Sequence, residues 1–66
     1  MNILYNGAPR DVAGKITLKE VLGLESCDRP GVAAALNDHL VPRGRWEGTP
    51  LIDGDEILVI EAAQGG

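Results

Sequence analysis

Four places in this 66-residue chain carry groups with reactive or binding potential of their own. They are Cys27, His39, the run Arg43-Gly44-Arg45-Trp46, and the closing run Ala62-Ala63-Gln64-Gly65-Gly66. A cysteine becomes a nucleophile when a cation or a helix N-terminus lowers its pKa. Neither stands beside Cys27, which reads as a small filler near a helix end. His39 has no Cys, Asp or second His at metal or triad spacing and reads as a solvent-exposed histidine. Arg43 has the spacing to stack on Trp46, and Trp46 itself reads first as a lid on the core. No nucleophile, base and orienting group stand together, so an enzyme reading has little support. The closing run loses bulk step by step, and Gly65 and Gly66 have no Cβ to fix the backbone or obstruct a narrow passage. Residues 61–66 therefore read as a thin, flexible tail.

A turn and a strand lead into that tail. Asp53-Gly54 is a turn signal, since Gly accepts positive φ and Asp hydrogen-bonds nearby backbone. Ile57, Leu58, Val59 and Ile60 are four consecutive apolar residues, a run too short and too β-rich for a helix, and read as a strand covered on both faces. The domain's own core supplies one cover, and the second face is left for a partner. With Ile57 and Val59 inward, period-two alternation sends Leu58, Ile60 and Ala62 outward, and Leu4 joins them from a paired first strand. Clustered exposed apolar side chains mark interaction surfaces. Leu4, Leu58, Ile60 and Ala62 are thus the expected partner-binding face.

Composition narrows the classes further. A chain of this length makes one domain, 1–66, and buries only about 60% of its unfolded surface. With one Trp, one Tyr and no Phe, the core must be built from Leu, Ile, Val and Ala, leaving little wall for a small-molecule cleft. Ten acidic against six basic residues give a net charge of -4, which argues against nucleic acid and suits a basic protein partner. The single cysteine excludes an internal disulfide framework, a four-cysteine zinc site and a cysteine-ligated cluster. The opening Met1-Asn2-Ile3-Leu4-Tyr5-Asn6 meets Gly7 and Pro9 too soon for a secretory leader or a membrane span. A cytoplasmic protein with no membrane contact is expected.

In chain order, Asn2 to Asn6 alternates with Ile3 and Tyr5 on one face, and Asn6-Gly7 is a strong hairpin signal. Ala8-Pro9 is expected to lengthen the connection before a second strand at Arg10-Asp11-Val12. Thr17-Leu18-Lys19-Glu20 fits a capping box opening a helix of two or three turns that buries Leu18, Val21 and Leu22. Val32 to Leu36 alternates as a third strand, Asn37-Asp38 turns, and His39-Leu40-Val41 forms a short edge strand stopped by Pro42. The predicted core is Ile3, Tyr5, Leu18, Val21, Leu22, Val32, Leu36, Ile57 and Val59. One helix must cover one face of the sheet, and the last strand pairs most economically beside the first. The fold class is α+β: a ubiquitin-like β-grasp, with a mixed sheet of four to five strands and one main helix.

Several residues also resemble a known family. Ala35-Leu36-Asn37, Val41-Pro42-Arg43, Trp46, Asp53-Gly54-Asp55-Glu56-Ile57 and the terminal Gln64-Gly65-Gly66 are similar to the ThiS family, the small sulfur carriers of thiamine biosynthesis. The match covers essentially the whole chain. Ala33-Ala34-Ala35 is less bulky than the family pattern, and Thr49-Pro50 is a local variant. The resemblance implies a carrier that is acted on, not an enzyme. The Gly66 carboxylate would be adenylated by a ThiF-type enzyme, which uses ATP and Mg²⁺ while the carrier itself binds no cofactor. A sulfur donor protein would convert the adenylate to a thiocarboxylate, which delivers sulfur to a thiazole synthase of the ThiG type. Gln64 and Gly65 would be the tail that threads into those active sites. A carrier for molybdopterin or cysteine synthesis, or a ubiquitin-like protein modifier, shares the same terminus and remains as an alternative.

Overall fold

The structure is a computed structural model and describes residues 1–61. Its elements are β1 (Asn2–Tyr5), β2 (Ala8–Asp11), α1 (Leu18–Leu24), β3 (Val32–Leu36), β4 (His39–Val41), a 3₁₀ turn (Arg43–Arg45) and β5 (Glu56–Glu61). The strands form one sheet in the order β2-β1-β5-β3-β4. The β1 and β5 pair runs parallel, and the other pairings are antiparallel. One helix on one face of a mixed five-stranded sheet is the β-grasp arrangement.

Local chemistry accounts for each element. Asn6 and Gly7 both take positive φ, 50° and 82°, the conformation that a two-residue hairpin turn matching strand twist demands. The turn is therefore tighter than expected: β2 begins at Ala8, not Arg10, and Pro9 lies inside it. Met1 and Val12 exchange two hydrogen bonds, so by alternation the pair Leu4↔Pro9 is a non-hydrogen-bonded one. The missing N–H of Pro9 thus faces the open edge, where nothing needs it.

The capping box on α1 is complete: the Glu20 N–H donates to Thr17 Oγ1 at 3.3 Å and the Thr17 N–H to Glu20 Oε1 at 3.0 Å. The helix ends in a Schellman pair. The Cys27 N–H donates to the Leu22 carbonyl and the Ser26 N–H to the Gly23 carbonyl, with Ser26 at φ 61° where glycine is usual. Cys27 fills the space behind this turn. Its Sγ lies 2.9 Å from the Tyr5 hydroxyl and donates to the Glu25 carbonyl. Burial, and then the bond to Cys27, push the Tyr5 hydroxyl above the ordinary tyrosine range.

The buried cluster comprises Ile3, Tyr5, Ile16, Leu18, Val21, Leu22, Val32, Ala34, Trp46, Leu51 and Ile57. Leu36 and Val59, expected among them, are half-buried and pack against its margin. Ile16 and Leu51 join from segments outside regular structure, because the two segments pair with each other. The Leu51 N–H donates to the Ile16 carbonyl and the Leu18 N–H to the Thr49 carbonyl. Trp46 is 1% exposed and its indole N–H donates to the Val41 carbonyl at 2.9 Å. Its outer surface carries the Arg43 guanidinium, 4.7 Å from the ring centre, so the lid and the stack coexist.

Asp53-Gly54-Asp55 knits β1 to β5. Asp53 Oδ1 accepts from the Asn2 N–H at 2.7 Å, the Gly54 N–H donates to the Asn2 carbonyl, and Gly54 holds φ 89°. Asp55 is buried, and its two oxygens accept from Asn37 Nδ2 and the Ile52 N–H. A buried carboxylate with both oxygens bonded avoids the penalty of an unsatisfied charge.

Candidate functional site

Residues 62–66 follow β5 in the sequence. The expected site residues Ala62, Gln64, Gly65 and Gly66 lie outside the described residues, so the site is visible as its root and its surroundings. Glu61, expected to open the tail, is the last residue of β5 and pairs with Val32 on β3.

The two faces of β5 differ sharply. Ile57 is fully buried against the core and Val59 half-buried, while Leu58 is 51% and Ile60 59% exposed. The expectation of a strand covered on both faces thus holds for one face only among the described residues. Across β3, Leu58 stands opposite Ala35 and Ile60 opposite Ala33. Side chains so small leave the two larger ones standing free of lateral cover. Leu4 on β1 pairs with Glu56, one alternation from Leu58, and is half-buried. The structure therefore brings Leu4, Leu58 and Ile60 to one face.

Leu40, absent from the expected face, belongs to it as well. It pairs with Ala35, which also pairs with Leu58, and is 73% exposed. The alternation His39-Leu40-Val41 is too short to assign a face, but Ala35 shared as a neighbour settles it. The patch thus spans β1, β5, β3 and β4, with Leu58 near its centre.

The backbone of β5 is held by side chains as well as by its neighbours. β1 pairs with β5 only as far as Ile57, because the chain turns away at Asn6. There the amide of Asn6 takes over: its Oδ1 accepts from the Val59 N–H at 2.7 Å. On the other edge, Asn37 Oδ1 accepts from the Glu56 N–H at 2.9 Å. Between these two turns, a shallow hollow of about 120 Å³ is lined by Asn6, Gly7, Asp38, Glu56, Ile57 and Leu58. Small-molecule sites run to about 300–1,000 Å³, so this hollow is too small for a cofactor. Among the described residues no group of three His, Cys, Asp or Glu side chains is placed to hold a metal, and no helix is long and apolar enough to cross a membrane. His39 is exposed and Cys27 is engaged with Tyr5.

A β-grasp domain with an open apolar sheet face and a strand that continues into a diglycine defines the class: a ubiquitin-like β-grasp protein. The sequence model of the ThiS family matches residues 3–66. The chain belongs to the ThiS family. It is 35% identical over 66 residues to a protein of Escherichia coli named sulfur carrier protein ThiS, covering the whole of both chains. It is 43% identical over 64 residues to a protein of the same name from Thermus thermophilus, covering 97% of this chain and 98% of that one. A crystal structure of a thiamine biosynthesis protein (ThiS) from Geobacter metallireducens superposes with a TM-score of 0.85 at 28% identity, covering the whole of both chains. A solution structure of a thiamine biosynthesis protein from the same organism gives 0.79 at 28% identity, covering all of this chain and 88% of that one.

Proposed function

We propose that this chain is a cytoplasmic sulfur carrier for thiazole formation in thiamine biosynthesis, acting as a co-substrate for other enzymes. The observation that carries the reading is the open Leu4, Leu40, Leu58 and Ile60 face on the strand that runs into Gln64-Gly65-Gly66, in a chain of the ThiS family. The names borne by its relatives in Escherichia coli and Thermus thermophilus support the pathway.

In this reading the apolar face docks on an adenylating enzyme of the ThiF type, and the tail delivers the Gly66 carboxylate to ATP and Mg²⁺ bound there. A carboxylate is a poor electrophile at neutral pH. One of its oxygens attacks the α-phosphorus of ATP, pyrophosphate leaves, and the acyl adenylate carries AMP as a leaving group. A persulfide on a sulfur donor protein then attacks the Gly66 carbonyl and AMP leaves; thiol reduction of the resulting acyl disulfide breaks its S–S bond, returns the donor as a thiol and leaves sulfur on Gly66 as a thiocarboxylate. That sulfur passes to a ThiG-type thiazole synthase. The work of this chain is to present one carbonyl carbon, first to one active site and then to another.

Docking through the sheet face gives a separable prediction. Leu58→Asp places a charge at the centre of the patch, on an exposed position that the core does not use. Affinity for the adenylating enzyme, measured by calorimetry, is expected to fall by at least about tenfold, the scale of a central interface residue. The melting curve should stay within about 0.5 kcal/mol of the parent, as for other exposed substitutions. Equal affinity with an intact fold removes the patch from the interface.

A further inference from the structure

The six cationic side chains of this chain are unevenly placed on the fold. Arg10 stands opposite the buried Ile3, lies over the Tyr5 ring and reaches Glu25. Lys19 and Arg43 both reach Asp28, and Arg43 stacks on the buried Trp46. Arg29 bonds Glu61, whose strand partner is the buried Val32. Four of the six are thus paired on the helix side of the sheet.

The opposite face, which carries Leu58, has no lysine or arginine at its strand positions. The charged residues there are Asp11, opposite Asn2, and Glu56, opposite Leu4 and two residues from Leu58. Asp11 has the N-terminal ammonium 3.5 Å away. Glu56 and the neighbouring Asp38 have no ion-pair partner among the described residues. Both line the shallow hollow of about 120 Å³ that opens beside Leu58.

The walls of this hollow are fixed. Its two ends are turns at positive φ, Asn6-Gly7 on one side and Asn37-Asp38 on the other. The Asn6 amide is tied to the Val59 N–H, and the Asn37 amide accepts from the Glu56 N–H while donating to Asp55. A site so held loses little freedom when it is filled. Two carboxylates repel an anion, and a metal ion finds no group of three ligands among the described residues. Covering Leu58 with an apolar surface would also strip water from Glu56 beside it, which is costly unless an opposite charge arrives with that surface.

We propose that the hollow receives one Lys or Arg side chain of the adenylating enzyme, with its methylene stem along Leu58 and its charged head between Glu56 and Asp38. This deepens the carrier reading above and rests on it. The apolar patch supplies area, and the hollow supplies register and discrimination, since a partner with no cation at this point leaves two carboxylates unpaired. Close charge pairs across an interface reach about tenfold or more in affinity.

The test is calorimetry of the full chain with a ThiF-type adenylating enzyme, at about 0.05 M and about 0.5 M salt, because screening separates charge pairing from apolar contact. The variant Glu56→Gln with Asp38→Asn keeps both backbones, since Asn tolerates positive φ, and its Tm should stay within about 4 °C of the parent. Its Kd is expected to rise about tenfold at the lower salt and to depend less on salt than that of the parent. Glu20→Gln with Glu25→Gln removes two charges from α1 and its cap, and should move Kd by less than about twofold. Replacing the lysines and arginines of the enzyme's docking surface one at a time by glutamine completes a double-mutant cycle. One of them should weaken the parent about tenfold and the Glu56→Gln, Asp38→Asn variant by less than about twofold.

Parental affinity of that variant at the lower salt, or an equal loss in the α1 variant, overturns the inference and leaves the carrier reading in place. A cycle in which every enzyme cation is additive overturns it as well. A parent chain that supports no ATP–pyrophosphate exchange overturns the carrier reading, and this inference with it.

Discussion

A chain shortened by Gly65 and Gly66 is expected to support no detectable ATP–pyrophosphate exchange while its thermal melt barely moves. Among the described residues, the buried cluster lies between Ile3 and Ile57, and the pairing of β5 with β3 reaches Glu61. The described core is thus built without the last two residues. The chemistry has no substitute for them: activation needs the carboxyl group of Gly66 itself at the α-phosphorus of ATP. Adding one residue after Gly66 should have the same effect by displacing that group. Gly65→Val should also block transfer, because a β-branched side chain restricts the backbone and widens a segment that must enter a narrow channel. Full exchange by the shortened chain contradicts the carrier reading, and a collapsed melt makes the glycines structural.

The second large effect is expected in the core, at Trp46. Trp46→Ala removes the largest fully buried side chain of the core, an indole hydrogen bond to the Val41 carbonyl and the platform for Arg43. Truncations of this size cost about 3–5 kcal/mol, against a total of roughly 5–15 kcal/mol for a whole domain. Tm is expected to fall by at least about 12 °C. Trp46→Phe keeps much of the buried volume and loses the hydrogen bond, so it should fall between the parent and Trp46→Ala. A melt of Trp46→Ala within a few degrees of the parent contradicts the burial described above.

Signals contained within a few residues are the ones legible in the chain. Asn6-Gly7 and Thr17 with Glu20 declare their turn and cap because each acts on its own backbone within four positions; Asp53-Gly54 is legible as a turn, closed by the Asp55 N–H on the Ile52 carbonyl, but its bonds to Asn2 are not. The second strand of the hairpin nonetheless starts earlier than the sequence suggests, since Pro9 reads as a strand breaker until the open edge it faces is known. Ile16 and Leu51 escape notice because each is a single apolar residue outside any periodic run, and only the pairing of 16–18 with 49–51 buries them. Leu40 escapes for a related reason: three residues of edge strand do not reveal a face until Ala35 is seen as a shared neighbour of Leu40 and Leu58. The exposed ion pair that Arg29 makes with Glu61 spans 32 positions and depends on the register of β3 against β5, which no local pattern encodes. The apolar half of the candidate site is legible because Leu58 and Ile60 alternate with the buried Ile57 and the half-buried Val59. The tail is legible only as composition and resemblance.

The central claim is that the Gly66 carboxylate is converted to a thiocarboxylate. Intact-mass spectrometry of the chain, after incubation with a ThiF-type adenylating enzyme, ATP, Mg²⁺ and a sulfur donor protein, tests it most directly. The expected result is a mass gain equal to replacing one oxygen by one sulfur, localised by fragmentation to Gly66 and absent when ATP is omitted. An unchanged mass under conditions that modify a known ThiS protein, or recovery of the chain joined through Gly66 to lysines of other proteins, contradicts it.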